Sequence, residues 1–266
     1  QSIKPADVRP EDFRKIIAKK YELSSQMRVE AGDEYIKFID DIFDLRKPKV
    51  TSFLNYDLRI FDNAEEMIYT IKEKNNKHSL ARVVAGYAWP WHTRHDSLST
   101  QKHDIEIDGL KLIWNSTAQD WVNSPNAINE VGCIHTVQGY DLNYVGVIIG
   151  PEFYFDVINQ KFAVNKDKYF DTNGRNGISD PRELERYVIN IYKTLLTRGI
   201  MGTYIYVVDE NLREYLKSQI TSSHKMENDN LTDVLKSPFS VNYADVPLFD
   251  SVGCGELMFA DPTIQE

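Results

Sequence analysis

The chain has 266 residues, 42% hydrophobic and 27% charged, an ordinary globular composition that suits one large domain with an appendage or two modest domains. Its formal net charge of -9 gives no support for a generally basic, nucleic-acid-coating surface, although a local basic stripe is compatible with it. Two cysteines far apart, Cys133 and Cys254, argue against a disulfide framework and fit a reducing cytoplasm. No apolar run approaches the ~20 residues that span a bilayer, and no charged-then-apolar leader opens the chain.

In chain order, "PEDFRKIIAKKYE" (10–22) sets Phe13, Ile16 and Ile17 on one face behind Pro10, which predicts a helix. "AGDEYIKFIDDIFD" (31–44) repeats the pattern with Tyr35, Ile36, Ile39 and Phe43. "LRIFD" (58–62) reads as a strand and "NAEEMIYTIKEKN" (63–75) as the helix after it, with Asn63 as N-cap. "ARVVAGYAW" (81–89) is a second strand, and "IEIDGLKLIW" (105–114) a hairpin turning at Asp108-Gly109. "VGCIHT" and "YVGVIIG" read as buried strands separated by a polar hinge, and "PEFYFDVINQKFAVN" (151–165) as a short antiparallel pair. "DPRELERYVINIYKTLLTRG" is an amphipathic helix with Pro181 in its first turn, "GTYIYVVD" (202–209) a buried strand and "ENLREYLKSQI" (210–220) a closing helix. Strands alternating with helices predict an α/β fold, a mainly parallel sheet covered on both faces. Residues 221–241 are polar and without periodicity, a linker; 242–266 begin something new.

Three stretches place polar groups at the rim of this sheet: "ELSSQMRVEAGDEYIKFIDDIF" (22–43), "HTVQGYDLNYVGVIIG" (135–150) and "YKTLLTRGIMGTYIYVVD" (192–209). Ligands of open α/β sheets bind at such rims. Alone, Arg198 at a helix end has a plain role, complementing the dipole and the last carbonyls. Two guanidinium forks with a hydroxyl, an amide and a carboxylate also form what one wall of a nucleoside triphosphate site requires. Arginines neutralise charge on the γ-phosphoryl group, and a carboxylate holds the ribose hydroxyls.

In order and spacing these segments resemble motifs IV, V and VI of superfamily 1 DNA/RNA helicases, and "QSIKPAD" resembles the tail of motif III. "LSSQMR", "DEY", "AGYAWPW" and "TVQGYDLNYVGVIIG" together are similar to a bacterial family of uncharacterised helicase-like ATPases related to the Schlafen helicase region. The likeness covers about residues 1–220. It implies a second, C-terminal RecA-like domain of an ATP-dependent helicase or translocase, with a helical N-terminal segment and a partly ordered C-terminal tail. By position it implies Arg28 and Arg198 as arginine fingers, Gln1 as γ-phosphate sensor, and Gln138, Gly139 and Asp141 at the nucleotide. His135 and Thr136 would face a single strand of DNA or RNA, with Trp89 and Trp91 as further candidates. ATP and Mg²⁺ are the implied cofactors of the full-length protein.

No glycine is followed by lysine, so the sequence carries no G-K-[ST] phosphate loop. The phosphate loop is therefore expected in an upstream RecA-like domain of the parent chain, before Gln1, and this portion alone is expected not to hydrolyse ATP. Aromatics after a strand, as in "AGYAWPWHTR" (85–94), stack on bases or pack beneath a loop bent at Pro90; packing is the plainer reading of Trp89 and Trp91. Metal spacing can be drawn through His92, His95 and Asp96, or through His103, Asp104, Glu106 and Asp108, but an exposed strand face alternates in the same way, so no metal site is expected. Cys133 reads as a small buried hydrophobe. "VPLFDSVGCGELMFADPTIQE" resembles the start of LexA-like self-cleaving peptidase domains, in which Cys254-Gly255 would be the cleaved bond; a plain tail with a turn accounts for it equally. The rivals to a motor domain are a binding module of the same fold and a metal-dependent nuclease on Asp104, Glu106 and Asp108.

Overall fold

Runs rich in valine, isoleucine and tyrosine form five strands: β1 (Asp57–Phe61), β2 (Ala81–Ala85), β5 (Val131–Gly132), β6 (Leu142–Ile149) and β9 (Gly199–Val207). In the computed structural model, which describes residues 28–93, 103–175, 178 and 180–220, they lie in the order β1-β9-β6-β2-β5. Every pairing among them is parallel. Alternation along β6 divides the core. Val145, Val147 and Ile149 face one layer, while Tyr144 and Ile148 face the other. Helices α1 (Gly32–Phe43), α5 (Pro181–Leu196) and α6 (Glu210–Gln219) cover the first face, and α2 (Ala64–His78) the second. This is the α/β arrangement of a RecA-like domain, parallel in its central sheet and flanked by helices.

The helix starts follow from local chemistry. Asn63 accepts from the Glu66 N–H at 2.9 Å, Asp180 from Arg182 at 2.9 Å and Asp209 from Leu212 at 2.8 Å, so each satisfies an amide that the helix leaves over. The hairpin β3 (Ile105–Ile107) and β4 (Leu110–Leu112) turns on Asp108 (φ 52°) and Gly109 (φ 84°), the two positive φ values of a type I′ turn. Strands β7 (Phe153–Asp156) and β8 (Lys161–Val164) form the antiparallel pair expected over 151–165.

Three expectations change. Strand β2 stops at Ala85 rather than at Trp89, because Gly86 passes against Tyr192 and Glu152; a Cβ there would lie 2.1 Å from the Tyr192 hydroxyl oxygen. "VGCIHT" is a strand only at Val131–Gly132, after which Ile134–Val137 form a single helical turn, α3. Thr136 Oγ1 accepts from the Cys133 amide and donates to its carbonyl, both at 3.0 Å, which closes that turn. Asp104 does not share an exposed face with Glu106. It is buried, and it accepts from Thr93 N–H, Thr93 Oγ1 and Trp114 N–H at 2.8, 2.8 and 3.0 Å.

Among the described residues no group of three or more His, Cys, Asp or Glu is placed to hold a metal ion, and no helix is long and apolar enough to cross a membrane. The expected helix at 10–22, Gln1, His95, Asp96, the 221–241 linker and the tail with Cys254 and Gly255 lie outside the described residues.

Candidate functional site

Two backbone hydrogen bonds stitch three distant segments together at the amino ends of the central strands. Glu30 N–H donates to the Ile200 carbonyl at 2.9 Å, and Leu142 N–H to that of Arg198 at 3.1 Å. Arg28, Asp141 and Arg198 are thereby gathered at one rim. Arg28 Nε and Asp141 Oδ1 form an ion pair whose side chains are about half exposed. Such a pair contributes ~0–1 kcal/mol and exchanges readily for another partner. Gly139 turns the chain into this corner at φ 89°, a conformation that a residue with a Cβ takes up only under strain, and Gln138 beside it is exposed.

Arg198 is different. It is 7% exposed, and among the described residues its Nε has no hydrogen-bond partner and Nη1 donates to the Tyr140 carbonyl at 3.3 Å. It does not bond the last carbonyl of α5, because the Leu196 carbonyl accepts from Tyr35 and Thr203 at 2.9 and 3.0 Å. Burial lowers the pKa of this guanidinium, the charge of Arg28 lowers it further, and Asp141 opposes the shift. Arg198 is thus a buried cation with unused hydrogen-bonding capacity, close to the Arg28–Asp141 pair.

At the opposite rim, beyond the carboxyl ends of β2 and β5, lies a cavity of about 550 Å³. Tyr87, Trp91 and Phe170 supply aromatic walls; Asn115, His135 and Asp171 supply polar groups. His135 Nε2 lies 3.1 Å from Asp171 Oδ2, and Asp171, just before the short helix α4 (Thr172–Arg175), also accepts from the Gly174 amide at 2.8 Å. Thr136 lines the cavity too, with its hydroxyl engaged by Cys133. Trp89 sits apart in the core, its ring 6.4 Å from that of Trp114, and Cys133 is buried, its thiol pKa raised by burial. Behind the cavity, Tyr192 donates to Glu152 Oε1 and accepts from the Gly150 amide at 2.9 Å; burial pushes the Glu152 pKa up to about 7.

The segment 133–141 joins the two rims, with His135 and Thr136 at one end and Asp141 at the other. Sequence reading named both ends. It did not name Asn115 or Asp171, because an asparagine in "WNST" and an aspartate in "FDTNG" carry only the signature of turns. Glu152 likewise had no signal beyond following a strand.

A family model for the Schlafen group 3 DNA/RNA helicase domain matches residues 7–209. An uncharacterized protein of Saccharomyces cerevisiae is 31% identical over 219 residues, which cover 74% of this chain and 47% of that protein. The chain thus spans about half the length of the curated relative it matches. No solved structure matches. The chain belongs to the Schlafen group 3 DNA/RNA helicase domain family. Membership gives it a helicase-related, nucleotide-binding character.

Proposed function

We propose that this chain is the second RecA-like domain of a superfamily 1 helicase or translocase, completing an ATP site formed mainly by an upstream domain of its parent protein. The observation that carries this reading is Arg198, a buried guanidinium whose Nε has no partner among the described residues, beside Arg28 and Asp141. Closure of two domains around Mg-ATP brings Arg198 and Arg28 to the γ-phosphate, where they spread the charge of the transferring group. Arg28 leaves Asp141 for the phosphate, and the freed carboxylate accepts from the ribose hydroxyls. Gln138 and Gly139 line the approach.

On the other rim His135, Thr136 and Trp91 contribute to the path of a single strand of DNA or RNA, so that 133–141 reports nucleotide state to the track. Mg²⁺ and the triphosphate are held chiefly by the upstream domain. The test is ATP turnover by the parent protein with and without single strands. Arg198→Ala is expected to lower turnover by about 10³-fold or more, the range measured for arginine fingers, with little change in substrate concentration dependence. Turnover unchanged by that substitution ends the motor reading.

A further inference from the structure

Between residues 161 and 175 the chain reverses its own charge balance. Against a net charge of -9 for the whole sequence, this stretch carries Lys161, Lys166, Lys168 and Arg175 with only Asp167 and Asp171. Two of these charges are already answered. Lys161 faces Asp156 across the β7–β8 ladder, and Asp171 is engaged by His135 and the Gly174 amide. Lys166, Lys168 and Arg175 remain, all exposed, and among the described residues none of the three is ion-paired. Elsewhere the fold pairs its surface cations: Lys193 with Asp40, Lys217 with Asp62, Arg46 with Asp41 and Asp44. An acidic chain has carboxylates to spare for such pairing, so three exposed cations gathered without one point to an anion brought from outside.

The backbone beneath them is held firmly. The Asn165 N–H donates to the Glu152 carbonyl at 2.7 Å, and the Asn165 side chain and carbonyl accept from Asp167 and Lys168 N–H at 3.0 and 3.2 Å. These bonds wind Lys166–Lys168 into one 3-10 turn. Tyr169, 1% exposed, roots the turn in the core, and the Phe170 N–H donates to the Tyr87 carbonyl at 2.8 Å. Arg175 ends α4 with its Nη1 3.4 Å from the Tyr169 carbonyl, which brings the guanidinium back to the same turn. The turn is thus tied to the segments leaving β2 and β6, on the rim that carries His135. Beside the lysines the Phe170 side chain is left 38% exposed, with no ring packed on its own among the described residues.

Exposed cations on an open turn suit a particular kind of anion. A lone phosphate there keeps its water and is screened by salt, because no wall encloses it. A polyanion gains from several contacts at once and from the counterions they release. The exposed ring adds a stacking surface for a base. We propose that Lys166, Lys168 and Arg175 seat the sugar-phosphate backbone of a single strand of DNA or RNA, with one base stacked on Phe170. This rests on the reading of the chain as part of a single-strand track, and gives that track a backbone-holding edge outside the motif residues. Such contacts position a strand without reading its sequence, and they weaken steeply with salt.

The test is fluorescence anisotropy of a labelled oligo-thymine strand and an abasic strand of the same length, titrated with the chain at several salt concentrations. In a logarithmic plot of affinity against salt, each phosphate contact on a single strand contributes a slope of about -0.7. The triple variant Lys166→Gln, Lys168→Gln, Arg175→Gln is therefore expected to flatten the slope by about 2 and to weaken binding on the order of 10-fold at low salt. A control triple, Lys37→Gln, Lys47→Gln, Lys49→Gln, exposed on α1 and the loop after it, changes net charge equally and should leave the slope in place. Phe170→Ala is expected to weaken the thymine strand about 5-fold or more and to leave the abasic strand unaffected. A first triple with the slope of the unmodified chain, or a control triple that flattens it equally, overturns the ridge and leaves the track reading standing. An abasic strand bound as tightly as the thymine strand overturns the part given to Phe170. Polyglutamate that displaces the thymine strand as well as unlabelled strand does, at equal charge, assigns the ridge to an acidic peptide and overturns the proposal. Absence of binding of either strand to the unmodified chain overturns ridge and track together.

Discussion

Tyr192 donates its hydroxyl hydrogen to Glu152 Oε1 deep under the carboxyl ends of β2 and β6, where the carboxyl group is fully enclosed and its second oxygen has no partner among the described residues. Burial pushes the Glu152 pKa from 4.5 to about 7, the Tyr192 hydrogen bond opposing it. The folded state therefore holds this proton more tightly than the unfolded chain does. The stabilisation is full below about pH 4.5 and is lost as pH rises through about 7. Glu152→Gln should remove this dependence. Relative to the parent sequence it is expected to gain stability at pH 8, on the order of 1–3 kcal/mol, and to gain none at pH 4.5. Denaturant midpoints at the two pH values decide it.

Arg198 should show a divergence between stability and activity. Its burial beside Arg28 works against the fold, so Arg198→Met, which keeps the chain of methylenes and drops the charge, is expected to raise the thermal midpoint or leave it unchanged. ATP turnover of the parent protein should fall by about 10³-fold in the same variant. A large drop in the midpoint would show that the guanidinium is structural.

Trp89 and Trp91 should separate cleanly. Trp89 is 9% exposed in the core against Trp114, so Trp89→Ala is expected to cost about 3–5 kcal/mol in urea unfolding. Trp91 lines the cavity, and Trp91→Ala is expected to weaken single-strand binding by about 1–3 kcal/mol in anisotropy titrations with a smaller effect on unfolding.

On the edge strand β1, Asp57 is 1% exposed and serves three side chains. Tyr204 donates to it at 2.6 Å, Arg59 Nε at 2.6 Å, and Lys74 Nζ lies 3.4 Å away. Asp57→Ala removes their shared acceptor and is expected to destabilise by about 3–5 kcal/mol in calorimetry or denaturant unfolding. Asp57→Asn, which keeps an oxygen and loses the charge, should cost less.

The fold was legible where periodicity and caps agree. Asn63 caps its helix and Pro181 opens another as the sequence implies, and Asp108-Gly109 turns its hairpin, whereas Asp209, read as the end of a strand, caps the closing helix. It was least legible between Val131 and Thr136, where a short apolar run suits a strand and a helical turn equally, and a hydroxyl-to-backbone closure at Cys133 decides for the turn. The corner of Arg28, Asp141 and Arg198 was traceable because its motifs are local. The cavity's polar wall was not, because Asn115 and Asp171 acquire meaning only when loops after different strands meet.

Strand β5 contributes just two residues to the sheet, so almost nothing holds the chain between Gly132 and Leu142 in ladder register. That stretch is held instead at points along its length, by Thr136 on Cys133, His135 on Asp171, the Tyr140 carbonyl on Arg198 and Leu142 on the Arg198 carbonyl. Its placement therefore depends on Asp171 at one rim and Arg198 at the other, side chains from different parts of the chain, so that replacing either disturbs the rim it anchors.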